Sequence, residues 1–228
     1  MAAEGLVSFR VVHAETDLHV SACRNLSEET GRLVQRCRAD LESFIRAVPV
    51  FAETFQPLEV PSSAPQIVKE MAAAALAAGV GPMAAVAGAV ADQVGLGLSR
   101  YCNDVIVENG GDIFVRTTRR RKARVFAGSS PIGDRVSIVI DPSDGPLGLC
   151  TSSATVGHSV SLGRADAAVV LAKSAALADA AASAVGNAVR APDDVEDALE
   201  LGLRIDGVLG VIVVIGETLG VKGKVEIA

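Results

Sequence analysis

Three polar residues recur at every fourth position of an alanine-rich segment in the second half of the chain. Asp179, Ser183 and Asn187 are the polar residues of 175–187, where every other position is Ala, Leu, Val or Gly. Residues four apart share one face of an α-helix, and Ser174 stands where a helix N-cap belongs. A solvent-facing side usually carries Lys and Glu. The stripe therefore predicts a specific contact with a ligand, a metal ion or a partner backbone.

A hydroxyl-rich segment with a histidine precedes this helix. Four Ser and Thr residues lie within 151–155, and His158 follows between Gly157 and Gly163. An imidazole can accept a proton from an attacking hydroxyl, which makes His158 the candidate general base. The alternative is a structural, hydrogen-bonded His between two glycine-containing turns, with the hydroxyl groups serving turns and strand edges. The apolar segment Ala167 to Ala172 predicts a buried strand.

Asn109-Gly110-Gly111-Asp112 separates two segments rich in Val, Ile and Phe. This pattern predicts a hairpin with a tight turn. Two consecutive glycines also allow a ligand to lie against the backbone. The arginines after this hairpin could reach a phosphate, but Arg119 to Lys122 is interpreted as a charged edge strand, because charges on an edge deter pairing with other chains.

Gly79-Val80-Gly81-Pro82 joins two predicted alanine-rich helices, Gln66 to Ala78 and Met83 to Leu98. Proline after glycine is a helix start signal, and the free N–H groups of a helix N-terminus can bind an anion. The segment matches neither G-x-G-x-x-G nor the P-loop pattern. A plain helix–turn–helix with close Ala and Gly packing is the alternative.

Composition excludes several classes of protein. Of 228 residues, 50% are hydrophobic and 3% aromatic, so we expect an ordered chain with a core of Ala, Val, Leu and Ile. The net charge of −6 disfavours nucleic acid as a partner. Four widely spaced cysteines without a CxxC pair predict reduced thiols rather than a disulfide or zinc site.

Met71 to Ala91 is uncharged and about long enough to cross a bilayer core of roughly 30 Å. It consists largely of weakly apolar Ala and Gly, and the glycine–proline turn interrupts it. We therefore expect two helices, no membrane partner and a cytoplasmic location. No signal peptide is expected, because Glu4 and Arg10 interrupt the N-terminus.

The remaining chain predicts strands interspersed with helices, typical of a layered α+β architecture. One helix is predicted from about Ser27 to before Pro49, followed by an extended connector. The other predicted strands are Val7 to Val12, Leu18 to Cys23, Asp104 to Glu108, Val136 to Ile140, Val208 to Ile215 and Val225 to Ala228. Ala191 to Leu203 is predicted to be an acidic helix, and Glu217 to Lys224 a turn.

The order NGGD, TSSATVGHS, strand and SAALADAAASAVGN resembles the ApbE family of flavin transferases, and more closely its shorter, uncharacterised branch. VGPMAAVAGAVAD is typical of that branch, and the resemblance covers most of the chain. It implies an α+β, layered, T-fold-like arrangement of mixed and antiparallel sheet with Ala-rich helices, as one ApbE-like domain over 1–228. Two intimate lobes without a clear linker are the alternative. Family members bind FAD and Mg²⁺ and move the FMN portion onto a Thr or Ser of a target protein.

The resemblance also implies site residues. An Asp and a Thr four residues later help to hold the metal in an ADALAT-type motif, and ADAAAS places Asp179 and Ser183 there. It implies His158 as catalytic. Residues near the flavin nucleotide would be Asn109, Gly110, Gly111, Asp112, Thr151 and Ser152. The expected partners are a flavin or nucleotide, a protein acceptor and a second copy in a homodimer.

One motif departs from the family pattern. Active relatives carry a HIIDP-type segment, whereas this chain reads His158-Ser159-Val160-Ser161. We also expect the chain to be shorter than those enzymes and to lack their lipoprotein signal and N-terminal flavin-binding elements. Two alternatives to transfer stay open: a non-catalytic flavin- or nucleotide-binding protein on the same scaffold, and an Asp179 that only organises internal hydrogen bonds.

Overall fold

A computed structural model describes residues 3–128, 130–132, 136–153 and 162–228. It confirms the predicted α+β class, with antiparallel sheets and Ala-rich helices. The helices are α1 Ser27–Ala47, α2 Val50–Glu53, α3 Gln66–Ala78, α4 Val86–Leu98, α5 Ala175–Ala188 and α6 Val195–Leu203. The strands are β1 Val7–His13, β2 Thr16–Ala22, β3 Val105–Asn109, β4 Asp112–Arg116, β5 Arg121–Arg124, β6 Ser137–Ile140, β7 Leu147–Ser152, β8 Ala167–Ala172, β9 Val208–Ile215, β10 Thr218–Gly223 and β11 Glu226–Ile227.

Two sheets and a helical layer organise the described residues. The larger sheet has eight strands in the order β1-β2-β3-β4-β7-β8-β9-β10, and every neighbouring pair is antiparallel. A three-stranded sheet, in the order β11-β6-β5, forms a second unit. One hydrophobic cluster lies between the large sheet and the helices, and another lies between the two sheets.

The double-glycine turn is a hairpin turn, as predicted. Asn109 pairs with Asp112 across β3 and β4, and Gly110 has φ = +74°, where a side chain would be strained. Strand β4 continues the sheet to β7, so that Asp112 stands opposite Cys150. This register brings the turn beside the hydroxyl-rich segment.

Close contacts between helices depend on small residues. A Cβ atom at Gly88 on α4 would overlap the carbonyl oxygen of Ala175 at the start of α5. The predicted N-cap of α5 is confirmed, because Ser174 Oγ accepts a hydrogen bond from the Leu177 amide at 3.2 Å. The helix is therefore fixed at its first turn, where α4 crosses it.

Several sequence predictions of elements were incomplete. Strand β7 was not predicted and includes the start of the hydroxyl run, Thr151 and Ser152, and β10 covers most of the predicted turn Glu217 to Lys224. Both strands are short and contain glycines, so they lack a strong period-two pattern. The predicted connector after Pro49 also contains the one-turn helix α2. The edge position of β5 is confirmed.

The prediction of four reduced cysteines was wrong. Cys23, just after β2, forms a disulfide with Cys102, which follows α4, across a Cα–Cα distance of 5.8 Å. Cys37 and Cys150 are free and buried. No sequence pattern indicates this pairing, because the two cysteines are 79 positions apart and become neighbours only in the fold.

The apolar segment that could mimic a membrane span forms two helical pieces. Residues Gln66–Ala78 and Pro82–Leu98 meet at an angle of 105°. Among the described residues, no single helix is long and apolar enough to cross a bilayer. Pro82–Ala85 forms a 3₁₀ turn, so α4 proper begins three residues later than predicted.

Candidate functional site

A cavity of about 520 Å³ lies between the large and the small sheet, at the double-glycine turn. Its floor is apolar, with Ile113 and Leu149 from the large sheet and Ile138 from the small one. Its polar lining includes all six residues that the sequence assigned to nucleotide binding: Asn109, Gly110, Gly111, Asp112, Thr151 and Ser152. The structure therefore brings these residues together, although they come from separate segments of the chain.

Two carboxyl groups approach each other at one end of this cavity. Asp112 lines the cavity, and Asp179 lies close enough behind it to interact with its charge. Burial raises the pKa of Asp112 to about 7. Burial, followed by the charge of Asp112, raises the pKa of Asp179 well above its usual value. A pair of this kind is costly while both groups are ionised, unless a cation lies between or beside them.

The start of α4 holds Asp179 in place. Asp179 Oδ2 accepts a hydrogen bond from the amide of Gly88 at 2.9 Å. The side-chain amide of Asn109 donates to the carbonyl oxygen of Ala87 at 3.1 Å, which ties the hairpin turn to the same helical turn. Backbone N–H groups at a helix N-terminus favour negative charge. The N-terminus of α4, the double-glycine turn and α5 therefore meet at the Asp179 carboxylate, where the helix N-terminus favours negative charge.

The polar stripe of α5 faces strand β7 and the chain beyond it. Asn187 Oδ1 accepts a hydrogen bond from the Leu162 amide at 2.8 Å, and Ser152 lies against Gly186. Ser183 is half-buried, and its hydroxyl makes no hydrogen bond to the described residues. The expectation of an inward-facing stripe is met at Asp179 and Asn187, but neither Asp179 nor Ser183 belongs to the cavity lining.

The candidate base, His158, lies outside the described residues, as do the neighbouring residues 154–161. Its assignment as catalytic remains a prediction from the sequence. The described chain resumes at Leu162, and the bond from its amide to Asn187 fixes this end of the segment on α5.

Two further residues beside the pair were missed in the sequence. Asp92 on α4 accepts hydrogen bonds from the Ala175 and Ala176 amides at 2.9 and 2.8 Å, and so caps α5 from outside. Burial raises its pKa to about 6 despite these bonds. Asp92 is the only charged residue of α4, and a lone carboxylate on an apolar helix is the signal that could have found it.

Cys150 is the second missed residue. Its thiol is buried beside both carboxyl groups and donates to the carbonyl oxygen of Ala175 at 3.3 Å. Burial, and then the charges of Asp112 and Asp179, raise the pKa of this thiol well above 9. Cys150 is therefore a neutral neighbour of the pair at physiological pH, and its position opposite Asp112 follows from the β4–β7 register.

The donor atoms at this site suit a hard divalent cation. Asp112 and Asp179 offer carboxylate oxygens, and the carbonyl oxygen of Thr151 lies beside Gly111. Within the described ranges, no cluster of three or more His, Cys, Asp or Glu residues could enclose a metal. Mg²⁺ keeps several water ligands and needs only one or two carboxylates together with phosphate oxygens. These residues therefore fit Mg²⁺ that is shared with a phosphate ligand, and they do not fit a closed protein cage.

Comparison with known proteins defines the family. The sequence model of the family described as "AbpE bacteria" matches residues 1–221. The chain belongs to this family. It is 44% identical over 206 residues to the UPF0280 protein of Methanococcus aeolicus, covering 88% of this chain and 82% of that protein. It is 39% identical over 222 residues to the UPF0280 protein of Methanocaldococcus jannaschii, covering 95% and 90%.

Solved structures share the fold. A mutant of the flavin transferase ApbE from Vibrio cholerae aligns with a TM-score of 0.59 at 12% identity, covering 96% of this chain and 97% of that one. The ApbE protein of Thermotoga maritima aligns with a TM-score of 0.57 at 16% identity, covering 94% and 96%. The predicted ApbE-like fold is therefore confirmed, and at these identities the likeness concerns the fold alone.

Proposed function

We propose that this protein binds a flavin nucleotide together with Mg²⁺ and transfers its FMN portion to a hydroxyl group of an acceptor protein. The observation that carries this proposal is the Asp112–Asp179 carboxyl pair beside the cavity of the double-glycine turn. The shared fold with a protein named a flavin transferase supports this ligand class. The cavity's volume of about 520 Å³ lies within the range of about 300–1,000 Å³ that small-molecule sites commonly span, which supports a ligand of nucleotide size.

Different residues of the chain would bind the diphosphate, the Mg²⁺ and the ribose. Gly110 and Gly111 leave room for a diphosphate against the turn, and no atom within 4 Å would meet a Cβ at Gly110. Asp112 and Asp179 would hold the Mg²⁺, with Ser183 able to contribute its hydroxyl. Thr151 and Ser152 would donate hydrogen bonds to phosphate or ribose oxygens. Bound Mg²⁺ neutralises charge on the diphosphate.

Transfer would proceed by displacement at the phosphorus of the FMN half of FAD. The acceptor hydroxyl oxygen attacks the phosphorus of the FMN half of FAD, and a new phosphate ester bond forms. The bond between that phosphorus and the bridging oxygen breaks, and AMP leaves. The hydroxyl proton passes to a base, for which His158 is the candidate. His158→Gln should then slow transfer and leave FAD affinity unchanged.

Two measurements test the proposal. Purified protein is titrated with FAD with and without Mg²⁺, following flavin fluorescence, and FAD consumption in the presence of cell lysate is followed by AMP release and by fluorescent protein bands after denaturation. We expect Mg²⁺-dependent binding, AMP release and a covalently labelled acceptor. The matched control is Asp197→Asn on α6, outside the cavity lining, which should behave as the parent. Failure of Mg²⁺ to change FAD affinity would contradict the proposal.

A specific observation favours a second candidate, a flavin- or nucleotide-binding protein without transfer. The segment after His158 reads Ser159-Val160-Ser161 instead of the HIIDP-type sequence described above. In that case FAD binds with the same Mg²⁺ dependence, but no AMP forms and no acceptor is labelled. The two functions share the binding site and differ only in the chemical step.

A further inference from the structure

A second depression, the arginine groove, lies on the helical layer between α1, α3 and α4. It has a volume of about 440 Å³. It is lined at the C-terminal end of α4 by Leu96, Arg100 and Tyr101, whereas Ala87 at the other end of α4 lines the candidate flavin cavity. The two cavities share no lining residue, and eleven residues, or about 16 Å at 1.5 Å per residue, separate Ala87 from the last residue of α4, Leu98. The groove is therefore distinct from the Asp112–Asp179 site.

Three guanidinium groups line the groove without an ion pair to any described residue. Arg32 and Arg36 lie one turn apart on α1, and Arg100 reaches the groove from the end of α4. Like charges four residues apart on a helix destabilise it slightly. All three are exposed and line one groove, although the chain has a net charge of −6. An anion between them would offset the repulsion.

The carboxylates of the groove do not fully neutralise the positive charge of these arginines. Glu29 is engaged by Arg24, at 4.0 Å between Arg24 Nη2 and Glu29 Oε1. Asp40 is exposed, one turn beyond Arg36 on α1. The described lining therefore contains three arginines and two carboxylates, one of which already has a cationic neighbour.

The groove also offers a surface for a flat or apolar ligand body. Leu96 and Tyr101 are 50% and 52% exposed, although both are large hydrophobic side chains. The Arg24 guanidinium lies 6.0 Å from the centre of the Tyr101 ring, which orients one face of that ring. Leu33 packs against Gly97 and completes the apolar wall.

The polar floor of the groove is fixed in position. Gln66 and Gln93 both donate their side-chain amides to the carboxylate of Glu70, at 2.8 and 2.6 Å. Their amide orientation is therefore set, and neither side-chain carbonyl accepts a hydrogen bond from a residue that the structure describes. Fixed polar groups beside an apolar wall and a cationic rim are typical of a small-molecule site rather than of a flat protein interface.

We propose that the arginine groove binds a small dianionic ligand with a flat apolar body. The guanidinium groups of Arg32, Arg36 and Arg100 would hold the dianion with forked hydrogen bonds. The body would lie against Tyr101, Leu33 and Leu96. A phosphate monoester and an aromatic dicarboxylate share this chemistry, and the experiment separates them.

The test uses phenyl phosphate, phthalate and inorganic phosphate as probes in isothermal titration calorimetry at low and high salt. We expect saturable binding of phenyl phosphate or phthalate, tighter than that of inorganic phosphate and weaker at high salt. Arg36→Gln and Arg100→Gln should each raise the Kd about tenfold, as for loss of one charge-assisted hydrogen bond. Arg36→Lys, which keeps the charge and loses the fork, should have an intermediate effect.

Controls place the binding in the groove. Arg46→Gln changes another exposed arginine of α1, outside the groove, and should leave the Kd unchanged. Tyr101→Leu should remove the preference for phenyl phosphate over inorganic phosphate. Asp179→Asn should not affect binding here, so this inference can fail or stand independently of the flavin proposal. Absence of saturable binding by the two aromatic probes, or equal Kd values for the parent and an Arg36→Gln/Arg100→Gln double variant, would overturn the inference.

Discussion

Replacing Asp112 by Asn should stabilise the metal-free protein at alkaline pH. Burial raises the pKa of Asp112 from its ordinary value of 3.8 to about 7. The folded protein therefore holds a proton that the unfolded chain releases between these two pH values. The free energy of unfolding falls as pH rises through this window. The Asn side chain is neutral at every pH, so the variant does not lose this unfolding free energy as pH rises.

The size of the effect follows from the same two pKa values. A shift of this size, about 3 pH units, corresponds to about 4 kcal/mol of unfolding free energy at pH 8, since each unit is worth about 1.4 kcal/mol. Relaxation and water around a half-buried carboxyl reduce this figure, and we expect about 2–4 kcal/mol. Near pH 4 the expected gain is below about 1 kcal/mol, because pH 4 lies at the lower end of this window, where the unfolded side chain has only begun to release its proton.

Urea denaturation in EDTA at pH 4, 6 and 8 measures this difference directly. The unfolding free energy of Asp112→Asn minus that of the parent should grow with pH. Adding Mg²⁺ at pH 8 should stabilise the parent and leave the variant unchanged, because binding needs the ionised pair. A difference that is constant with pH, or a variant that is less stable than the metal-free parent at pH 8, would refute the reasoning.

Four further predictions concern the framework of the fold. Burial alone would raise the pKa of Asp104, but hydrogen bonds from Thr118, Thr117 and Arg121 hold it at about 2. Asp104→Asn should therefore cost about 1–2 kcal/mol at pH 7, and this cost should shrink as pH falls from 4 to 2 in urea titrations. Gly88→Ala should destabilise by about 1–3 kcal/mol, since its Cβ would push α4 from α5. Gly31→Ala on α1, which meets no atom within 4 Å, should gain about 0.5–1 kcal/mol. Reduction of the Cys23–Cys102 disulfide, which spans 79 positions, should lower stability by about 4 kcal/mol on chain-entropy grounds, seen as a lower Tm with reductant.

The sequence was sufficient for the elements with strong local signals. The 3.6-residue period, Ser174 and the surrounding alanines predicted α5, and the glycine pair between apolar segments predicted the β3–β4 hairpin. Their meeting point was predicted only through the order of motifs, because the approach of Asp179 to Asp112 depends on the packing of α5 on β7 and α4. The spacing of residue types within each element does not specify how the elements pack against one another.

The missed features are those that depend on partners far apart in the chain. Asp92 caps a helix that begins 83 residues later, through its bond to the Ala175 amide. The Cys23–Cys102 disulfide links two positions whose surroundings in the sequence contain no cysteine pattern. Strands β7 and β10 gain their strand character from neighbours in the sheet, since their own sequences are short and contain glycine.

The measurement that tests the central claim most directly is the FAD affinity of the parent and of Asp179→Asn, each with and without Mg²⁺. If the Asp112–Asp179 pair holds the cation that the flavin nucleotide shares, Mg²⁺ tightens FAD binding by tenfold or more in the parent and has no effect in the variant, while both proteins unfold cooperatively. Equal affinity in all four combinations would contradict the assignment of this pair as the metal site.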